Sequence, residues 1–428
     1  MIRVLHVLGG LNFGGAESRI MDLYRKINRN RIQFDFCIHI REHCHYEVEV
    51  AKLGGRVFRV PPYRVYNGGA YKSAWNELLE RIPDIQIVHG HMTSTAGIYL
   101  PLAKEKGKIT IAHARSAGLT PGLKATLTKK LREGLLEKAD YCLACSEIAG
   151  EAVFGSDFKR SEKAAVFPNA IDISKFIFDS ALRNAQRKEL SLDPETVVIG
   201  HVGQFCYAKN HEFLLKVFAK VHQVLPQSRL LMVGGGELKA KMEGLAKSLG
   251  IFDFCIFTGE QTNTVPFYQA MDLFVFPSHF EGLPGSVIEA QASGLPCLIS
   301  DVIASETDAT DLVTRMAVSE GEDAWVAWIL NWASEWGGVI DREDQSDQIK
   351  KAGLDVTAQA RNLASFYQAL LDPEQEDQIR ILKNIPDLPK LQQNERNYRF
   401  KTKKSGKNRK SRKRDGNYVS SKSGRRDS

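Results

Sequence analysis

Two glutamates flank a glycine-rich turn in the segment "FPSHFEGLPGSVIEAQASGLP", which covers residues 276–296. Glu281 directly precedes the Gly-Leu-Pro-Gly turn, and Glu289 follows eight positions later. A carboxylate beside an apolar strand and a tight turn loses hydration, which is costly unless a partner or a ligand binds it. Ser286 and Glu289 also fit the S-x-x-E capping box of a helix that starts near Ser286. This structural alternative explains Glu289 but leaves Glu281 unexplained.

Two glycine-rich segments follow predicted strands and could approach a phosphate. Gly14 and Gly15 precede a predicted helix in "GGLNFGGAES", and Gly234 and Gly235 lie in "VGGGEL". Glycine lets the backbone come close to a phosphate, and a helix N-terminus offers free N–H groups and the positive end of its dipole. The first segment does not fit the G-x-G-x-x-G fingerprint of dinucleotide-binding proteins, and a plain strand-to-helix turn is its structural alternative.

Two cationic or titratable side chains follow other predicted strands. Lys209, in "VGQFCYAKNHEF", could place a point charge on a phosphate, and a solvated surface lysine is the alternative. His113 ends the strand in "TIAHARS", where we expect it to face a cleft and to hydrogen-bond a sugar or a phosphate. A strand-end histidine with ordinary partners is the alternative.

The sequence shows no evident metal site. It contains no Asp-x-Asp, the carboxylate pair that can hold a metal beside a diphosphate, so lysine, arginine and backbone dipoles should neutralise such a group. Cys142 and Cys145 form one C-x-x-C, and a zinc site would need a second pair. The seven scattered cysteines argue against a disulfide framework and for a reducing cytosol.

Strand and helix patterns alternate in two series along the chain. This alternation predicts parallel sheets covered by helices on both faces, and the ligands of such doubly wound sheets bind at the carboxyl ends of the strands. We predict Rossmann-like domains over residues 1–178 and 179–355, a closing helix over 356–372, and a linker with a tail over 373–428. The cleft between the two domains is therefore the expected site.

The basic charge of the chain is concentrated at its end. The formal net charge is +7, yet residues 401–428 contain twelve Lys and Arg against two Asp, so the rest is nearly neutral. This tail has too few apolar residues to bury and is expected to be disordered. It has one aromatic residue, Tyr418, so stacking on single-stranded nucleic acid is not supported, and we do not expect nucleic acid as a partner.

A second basic element is the predicted helix in "TPGLKATLTKKLREGLLEKAD". Its basic residues are Lys124, Lys129, Lys130 and Arg132. This face could rest on anionic lipid headgroups, and an ordinary solvated helix face is the alternative. No apolar run approaches the ~18 residues that span a bilayer, so we expect a cytoplasmic protein, peripheral at the inner face of the plasma membrane.

The segments "VPFYQAMDLFVFPS", "VGGGEL", "VFPNAID" and "EGLPGSVIEAQASGLPCLISD" together resemble the retaining glycosyltransferases of family 4. The last segment matches the Glu-x7-Glu motif of that family. The likeness covers about residues 1–371 and is closest to bacterial enzymes of exopolysaccharide and capsule assembly. It implies the GT-B architecture, in which two Rossmann-like domains face each other across a cleft.

The resemblance also implies a role for each candidate residue. Glu289 would accept hydrogen bonds from the donor's ribose hydroxyls, and Glu281 would lie at the transferred sugar. Lys209 would balance the charge of the leaving nucleoside diphosphate, and His113 would lie near sugar and acceptor. The groups expected to approach the diphosphate are Gly14, Gly15, Gly234, Gly235, Leu283, Pro284, Gly285 and Ser286.

The reaction implied by the resemblance is transfer of a sugar from a nucleotide donor, expected to be UDP-linked, to a lipid-linked or growing saccharide. It would retain the anomeric configuration and need no metal or cofactor. A nucleotide-sugar epimerase of the same architecture, and a degenerate scaffold that binds polyanion or membrane through its tail, are the alternatives.

The chain departs from the family at one position. The family usually has an arginine directly after the "VG" that precedes the lysine, and here that position is Gln204. A glutamine can donate a hydrogen bond to the diphosphate but carries no charge. Loss of one such partner could remove about 2–4 kcal/mol of transition-state stabilisation.

Overall fold

The computed structural model of the protein describes residues 1–119, 121–336, 342–372, 374 and 378–383. Within these residues the chain forms two parallel sheets, of seven and six strands, and helices cover both. The predicted α/β class with two Rossmann-like halves is therefore confirmed. Most of the predicted basic tail, from residue 384 onward, lies outside the described residues.

The first sheet comprises seven parallel strands with helices between them. Its strands are β1 (Ile2–Val7), β2 (Ile32–Ile38), β3 (Val57–Arg59), β4 (Ile87–Gly90), β5 (Ile109–Ala114), β6 (Tyr141–Ala144) and β7 (Ala164–Val166). Its helices are α1 (Gly15–Lys26), α2 (Glu47–Lys52), α3 (Gly68–Arg81), α4 (Thr93–Glu105), α5 (Leu123–Arg132), α6 (Leu135–Lys138) and α7 (Glu147–Phe154). The strand order is β3-β2-β1-β4-β5-β6-β7, so the order reverses between β1 and β4.

The second sheet repeats this construction. Its strands are β8 (Val197–Val202), β9 (Ser228–Val233), β10 (Cys255–Phe257), β11 (Leu273–Phe276), β12 (Cys297–Ser300) and β13 (Val313–Met316). The accompanying helices are α8 (Ser180–Glu189), α9 (His211–Val224), α10 (Lys239–Ser248), α11 (Val265–Ala270), α12 (Gly285–Ala292), α13 (Glu322–Trp336) and α14 (Ser346–Lys351). The order β10-β9-β8-β11-β12-β13 reverses between β8 and β11. Such reversals open a crevice at the carboxyl ends of the strands.

The last helices return to the first sheet. α15 (Val356–Ala369) packs on α1 and joins the core of the first half, and the Tyr367 hydroxyl lies 2.6 Å from Nδ1 of His89 on β4. α16 (Arg380–Lys383) follows it and buries Leu382. α15 lies within the segment 356–372 predicted as the closing helix, and α16 lies within the segment 373–428 predicted as linker and tail. The domain boundary at residue 178 stays a prediction.

The strands read as continuous apolar runs because both faces of each sheet are covered. β11, for example, is fully buried along "LFVF". The sequence analysis did not predict β13, a short strand at the sheet edge that contains the polar residues Thr314 and Arg315. The basic helix predicted near residues 120–140 is divided into α5 and α6, because Gly134 between them adopts a left-handed conformation with φ 67°.

Candidate functional site

A cavity of about 1030 Å³ opens at the carboxyl ends of both sheets. Its walls come from the segments that follow β1, β5, β8, β9 and β11. All predicted site residues except His113 line it: Gly14, Gly15, Gln204, Lys209, Gly234, Gly235, Glu281, Leu283, Pro284, Gly285, Ser286 and Glu289. Residues that are far apart in the sequence are therefore brought to one concave surface.

Glu281 and Lys209 form an ion pair in this cavity. Nζ of Lys209 donates to Oε1 of Glu281 over 2.5 Å, and the two side chains are 16% and 15% exposed. The ammonium also lies 4.6 Å from the centre of the Phe276 ring, at the end of β11. The chain turns sharply after Lys209, where Asn210 has a φ of 53° and caps α9. This turn and the ring fix the lysine beside the glutamate.

Glu289 is buried at the opposite end of the Gly-Leu-Pro-Gly turn and is 6% exposed. Its Oε1 accepts a 2.7 Å hydrogen bond from Nη2 of Arg19, and its Oε2 accepts one of 2.8 Å from the Tyr268 hydroxyl. Burial raises the pKa of the Glu289 carboxyl, and Arg19 and Tyr268 counteract this rise. The carboxylate is therefore held by partners that a ribose would have to share or replace.

The capping-box interpretation of Glu289 is wrong. Helix α12 begins at Gly285, its N-cap is Pro284, and no side chain caps it. Ser286 therefore lies inside the first turn, and Glu289 lies one turn further along with its carboxylate on Arg19 and Tyr268. The first N–H groups of the helix, which have no acceptor within the helix, are thus left for another partner.

A cationic side chain from the first half of the molecule, Arg19, lies beside the first turn of α12. An added Cβ on Gly285 would lie 3.6 Å from Cζ and Nε of Arg19, so the guanidinium lies beside the helix start. The preceding turn is held by Asn169, whose Nδ2 donates to the Leu283 carbonyl over 2.9 Å. Helix dipole and arginine together make this corner suited to an anion.

Both glycine segments follow strands as predicted, but only the first of them starts a helix, so the prediction that "VGGGEL" opens a helix is wrong. Helix α1 begins at Gly15, with Gly14 as its N-cap, and an added Cβ on Gly15 would meet no atom within 4 Å. Gly234 has a φ of 148°, and a Cβ there would lie 2.1 Å from the Gly203 carbonyl oxygen. Gly234 is therefore required by the close approach of two backbones. Helix α10 begins only at Lys239, so "VGGG" forms a turn rather than a helix start.

His113 does not face the cavity. It is fully buried on β5, its Nδ1 lies 3.0 Å from Nε2 of His89, and its ring packs on Phe167. Burial holds the pKa of His113 well below its ordinary value, so the ring is neutral. The expectation that it faces the cleft is wrong. The side chain points from β5 into the interior of the first half, where it packs in a cluster of histidines.

Three histidines of this cluster lie close enough together to be compared with a metal site. One ring nitrogen from each of His6, His89 and His91 lies within 4.8 Å of the others. The rings of His6 and His91 are stacked at 11°, and Nδ1 of His6 lies 2.9 Å from Nε2 of His91. Two nitrogens bound tetrahedrally to zinc at about 2.0–2.1 Å would be separated by roughly 3.3 Å. The closer distance and the parallel rings fit a hydrogen-bonded stack.

Among the residues of the site that the sequence analysis missed, four make its main polar contacts. They are Arg19, Arg115, Asn169 and Tyr268. Each lies near a segment that was noted: Arg19 is four positions after Gly15, Arg115 is two after His113, and the other two lie in "VFPNAID" and "VPFYQAM". Their contacts cross between the two halves or between distant segments, which local patterns do not reveal.

The predicted basic helix presents a smaller cationic face than expected. Lys129 and Lys130 of α5 are exposed, whereas Nη2 of Arg132 donates to Oγ1 of Thr93 over 2.8 Å. The side chain of Lys124 lies outside the described residues. None of the helices in the described part of the chain combines the length and apolar character needed to cross a membrane.

Comparison with known proteins identifies relatives over most of the chain. Residues 13–175 match the family described as Glycosyltransferase Family 4, and residues 183–352 match Glycosyl transferases group 1. The chain is 33% identical over 371 residues to putative glycosyltransferase EpsF of Bacillus subtilis (strain 168), which covers 85% of this chain and 96% of that protein. It is 25% identical over 300 residues to capsular polysaccharide biosynthesis glycosyltransferase CapH of Staphylococcus aureus, which covers 68% of this chain and 79% of that protein.

A solved structure shows the same fold. Anabaena Alr3699/HepE in complex with UDP and glucose matches with a TM-score of 0.71, over 86% of this chain and all of that chain. The two sequences are 15% identical, so this likeness concerns the fold alone.

Proposed function

Since the chain belongs to family 4 of the glycosyltransferases, we propose that it moves a sugar from a UDP-linked donor to a growing saccharide during capsule or exopolysaccharide assembly. The family assignment confirms the prediction of a retaining glycosyltransferase. The name of CapH supports a polysaccharide product, and the UDP and glucose bound by HepE support the donor class.

The observation that carries this proposal is the convergence of the predicted donor-binding residues on one cavity. Glu289 would take the two ribose hydroxyls, with Arg19 and Tyr268 fixing its carboxylate. The start of α12 and the glycine turns would receive the diphosphate. The sugar would then lie at the Glu281–Lys209 pair, on the other side of the turn from Glu289.

The reaction breaks the bond between the anomeric carbon and the diphosphate oxygen, and the electron pair stays on that oxygen. The acceptor hydroxyl oxygen bonds to the same face of the carbon, and its proton passes to the leaving diphosphate. Lys209 stabilises the negative charge that develops there, and Glu281 orients the lysine and the sugar hydroxyls. This neutralisation uses side chains and backbone N–H groups, and we propose that it needs no metal.

We further propose a lipid-linked acceptor presented at the cytoplasmic face of the membrane. The segment after β5 lines the cavity at Arg115 and Ser116 and leads to α5, which exposes Lys129 and Lys130. Cations on this helix would rest on anionic headgroups while the acceptor head reaches the cavity. All seven cysteines are free thiols, which supports a reducing compartment.

The experiment is a calorimetric titration of the full chain with UDP and with other nucleoside diphosphates. We expect UDP to bind and Glu289→Ala to lose at least about tenfold in affinity, because the buried carboxylate receives the ribose hydroxyls. Glu289→Gln keeps the shape of the side chain, and unfolding curves of both variants establish that each one folds. Glu243→Ala, which removes an ion-paired glutamate of α10 outside the cavity, is the matched control. Unchanged UDP affinity in both Glu289 variants would refute the assignment.

A donor-only incubation separates transfer from epimerisation. With UDP-sugar and no acceptor, the proposed enzyme leaves the sugar configuration unchanged apart from slow hydrolysis. Epimerised sugar in that mixture would favour the alternative enzyme class, whereas polyanion binding without any transfer would favour the scaffold.

A further inference from the structure

Arg115 is a cation in the cavity wall that has no carboxylate oxygen within 4 Å among the described residues. It follows β5 directly and lines the cavity. Its Nη1 donates to Oδ1 of Asn169 over 2.6 Å, and its Nε donates to Nδ1 of His91 over 3.3 Å. Both acceptors are neutral, since burial holds the pKa of His91 well below its ordinary value.

The other described lysines and arginines of the cavity wall are all paired. Lys209 binds Glu281, Arg19 binds Glu289, and Arg25 binds Glu49. Lys175 lies 3.6 Å from Asp172. Among the described residues that line the cavity, Arg115 is thus the cation with no carboxylate oxygen within 4 Å.

A half-buried cation without a carboxylate beside it is unfavourable. Burial lowers the pKa of Arg115 to about 10, so the guanidinium still carries its charge at neutral pH. Removing a charge from water without a counter-charge is costly, and an anionic ligand that enters the cavity recovers this cost. The position therefore favours anion binding.

Arg115 lies against the turn that connects Glu281 to α12. An added Cβ on Gly282 would lie 3.2 Å from the Arg115 carbonyl oxygen. Asn169, which accepts from Arg115, donates in turn to the Leu283 carbonyl. The side-chain amide of Asn169 therefore connects the guanidinium by hydrogen bonds to the turn where the diphosphate would bind. Gln204, the uncharged residue at the position of the usual arginine, lines the same cavity and is exposed.

We propose that Arg115 contacts the diphosphate of the nucleotide donor and supplies, from the first half of the molecule, the second positive charge that Gln204 does not supply from the second half. This inference rests on the proposed function. It makes Arg115 a catalytic residue, because the charge on the leaving diphosphate grows as the anomeric bond breaks.

The test compares Arg115→Gln, Gln204→Arg and the double variant by calorimetry with UDP and with UMP. We expect Arg115→Gln to lose on the order of 10–100-fold in UDP affinity and much less for UMP, which lacks the second phosphate. Gln204→Arg in the Arg115→Gln background should recover most of the loss. Arg115→Lys, which keeps the charge, should retain more UDP affinity than Arg115→Gln.

Arg132→Gln is the matched control, because Arg132 is also half-buried, donates to a neutral side chain and lies outside the cavity wall. Unfolding curves of each variant establish that it folds. Parental UDP affinity in folded Arg115→Gln, or equal losses for UDP and UMP, would overturn the proposal. A rise in the KM of the saccharide acceptor alone would assign Arg115 to an acceptor phosphate and would also overturn it. If the parent protein binds no nucleoside diphosphate, the proposed function itself fails.

Discussion

Nη2 of Arg19, on the first helix, donates to Oε1 of Glu289 over 2.7 Å and so links the two halves of the molecule. The two side chains are 11% and 8% exposed. The Tyr268 hydroxyl donates a hydrogen bond to Oε2, the other carboxylate oxygen of Glu289. The residue that would bind the donor ribose is therefore also an element of the contact between the halves. Donor binding as proposed would therefore act on the same carboxylate that joins the two halves.

We predict that the Arg19–Glu289 pair contributes to stability in a coupled way. Arg19→Gln or Glu289→Gln alone should lower the free energy of unfolding by about 2–4 kcal/mol, because each takes the closest counter-charge from a buried group, leaving Arg19 with Asp22 at 3.5 Å or Glu289 with Tyr268. The double variant should lose less than the sum of the two. Urea unfolding followed by tryptophan fluorescence measures this. Arg25 pairs with Glu49, and both side chains are about one-third exposed, so Arg25→Gln should lower the free energy of unfolding by less than about 1 kcal/mol. Additive losses would show that the pair is uncoupled.

Lys209→Ala should lower kcat by about 10²–10³-fold, because in the proposed reaction the ammonium would face the charge that develops on the leaving diphosphate. UDP affinity should fall less than kcat, since the interaction strengthens in the transition state. Steady-state transfer assays with UDP-sugar and acceptor provide both constants. Lys216→Ala, which removes an exposed lysine paired with Glu212 on α9, is the control. Equal losses in UDP affinity and kcat would assign Lys209 to ground-state binding.

Exchange of Lys129 and Lys130 for glutamine should weaken binding to vesicles of phosphatidylglycerol. Each lysine near an anionic surface contributes about 1 kcal/mol, so the double variant should bind roughly 30-fold more weakly. Lys241 and Lys247 of α10, which are also exposed, provide a control pair on the other half. Cosedimentation with these vesicles and with neutral phosphatidylcholine measures the effect. An equal loss in the α10 variant would indicate general charge attraction without a docking face.

The fold was predictable because its determinants are local. Continuous apolar runs such as "LFVF" of β11 identify buried parallel strands, and glycine turns identify their carboxyl ends. The position of Glu281 and Glu289 followed from the motif. The partner of Glu289 did not, because Arg19 is 270 positions away in the sequence. The capping box failed because α12 begins one residue before Ser286, which shifts both motif residues along the helix.

The direction of the His113 side chain could not be predicted from the sequence. The end of a strand predicts access to the cleft, but the direction of this side chain depends on its neighbours across the sheet. In the structure, His89 of β4 and Phe167 after β7 surround it. Arg115, two positions later, lines the cavity instead.

The buried histidine stack should make the protein sensitive to acid. Burial lowers the pKa of His6 to about 3, with Arg115 lowering it further and Asp35 raising it. The unfolded chain would titrate near 6.5, so it binds more protons than the folded chain between pH 6.5 and 3. The stability contributed by neutral His6 is therefore complete above pH 6.5 and is lost as the pH falls, by up to about 1.4 kcal/mol per pH unit.

His6→Asn should reduce this slope, because asparagine does not titrate. Urea unfolding at pH 7.5, 6.5, 5.5 and 4.5 would show a parental free energy of unfolding that is level above pH 6.5 and falls below it. The variant should be less stable at pH 7.5, because Nδ1 of His6 no longer pairs with His91, yet it should lose about 1 kcal/mol less per pH unit below 6.5. His222→Asn removes a half-exposed histidine of α9, whose pKa burial also lowers, and should change the slope less. Parallel curves for the parent and His6→Asn would show that His6 titrates alike in both states.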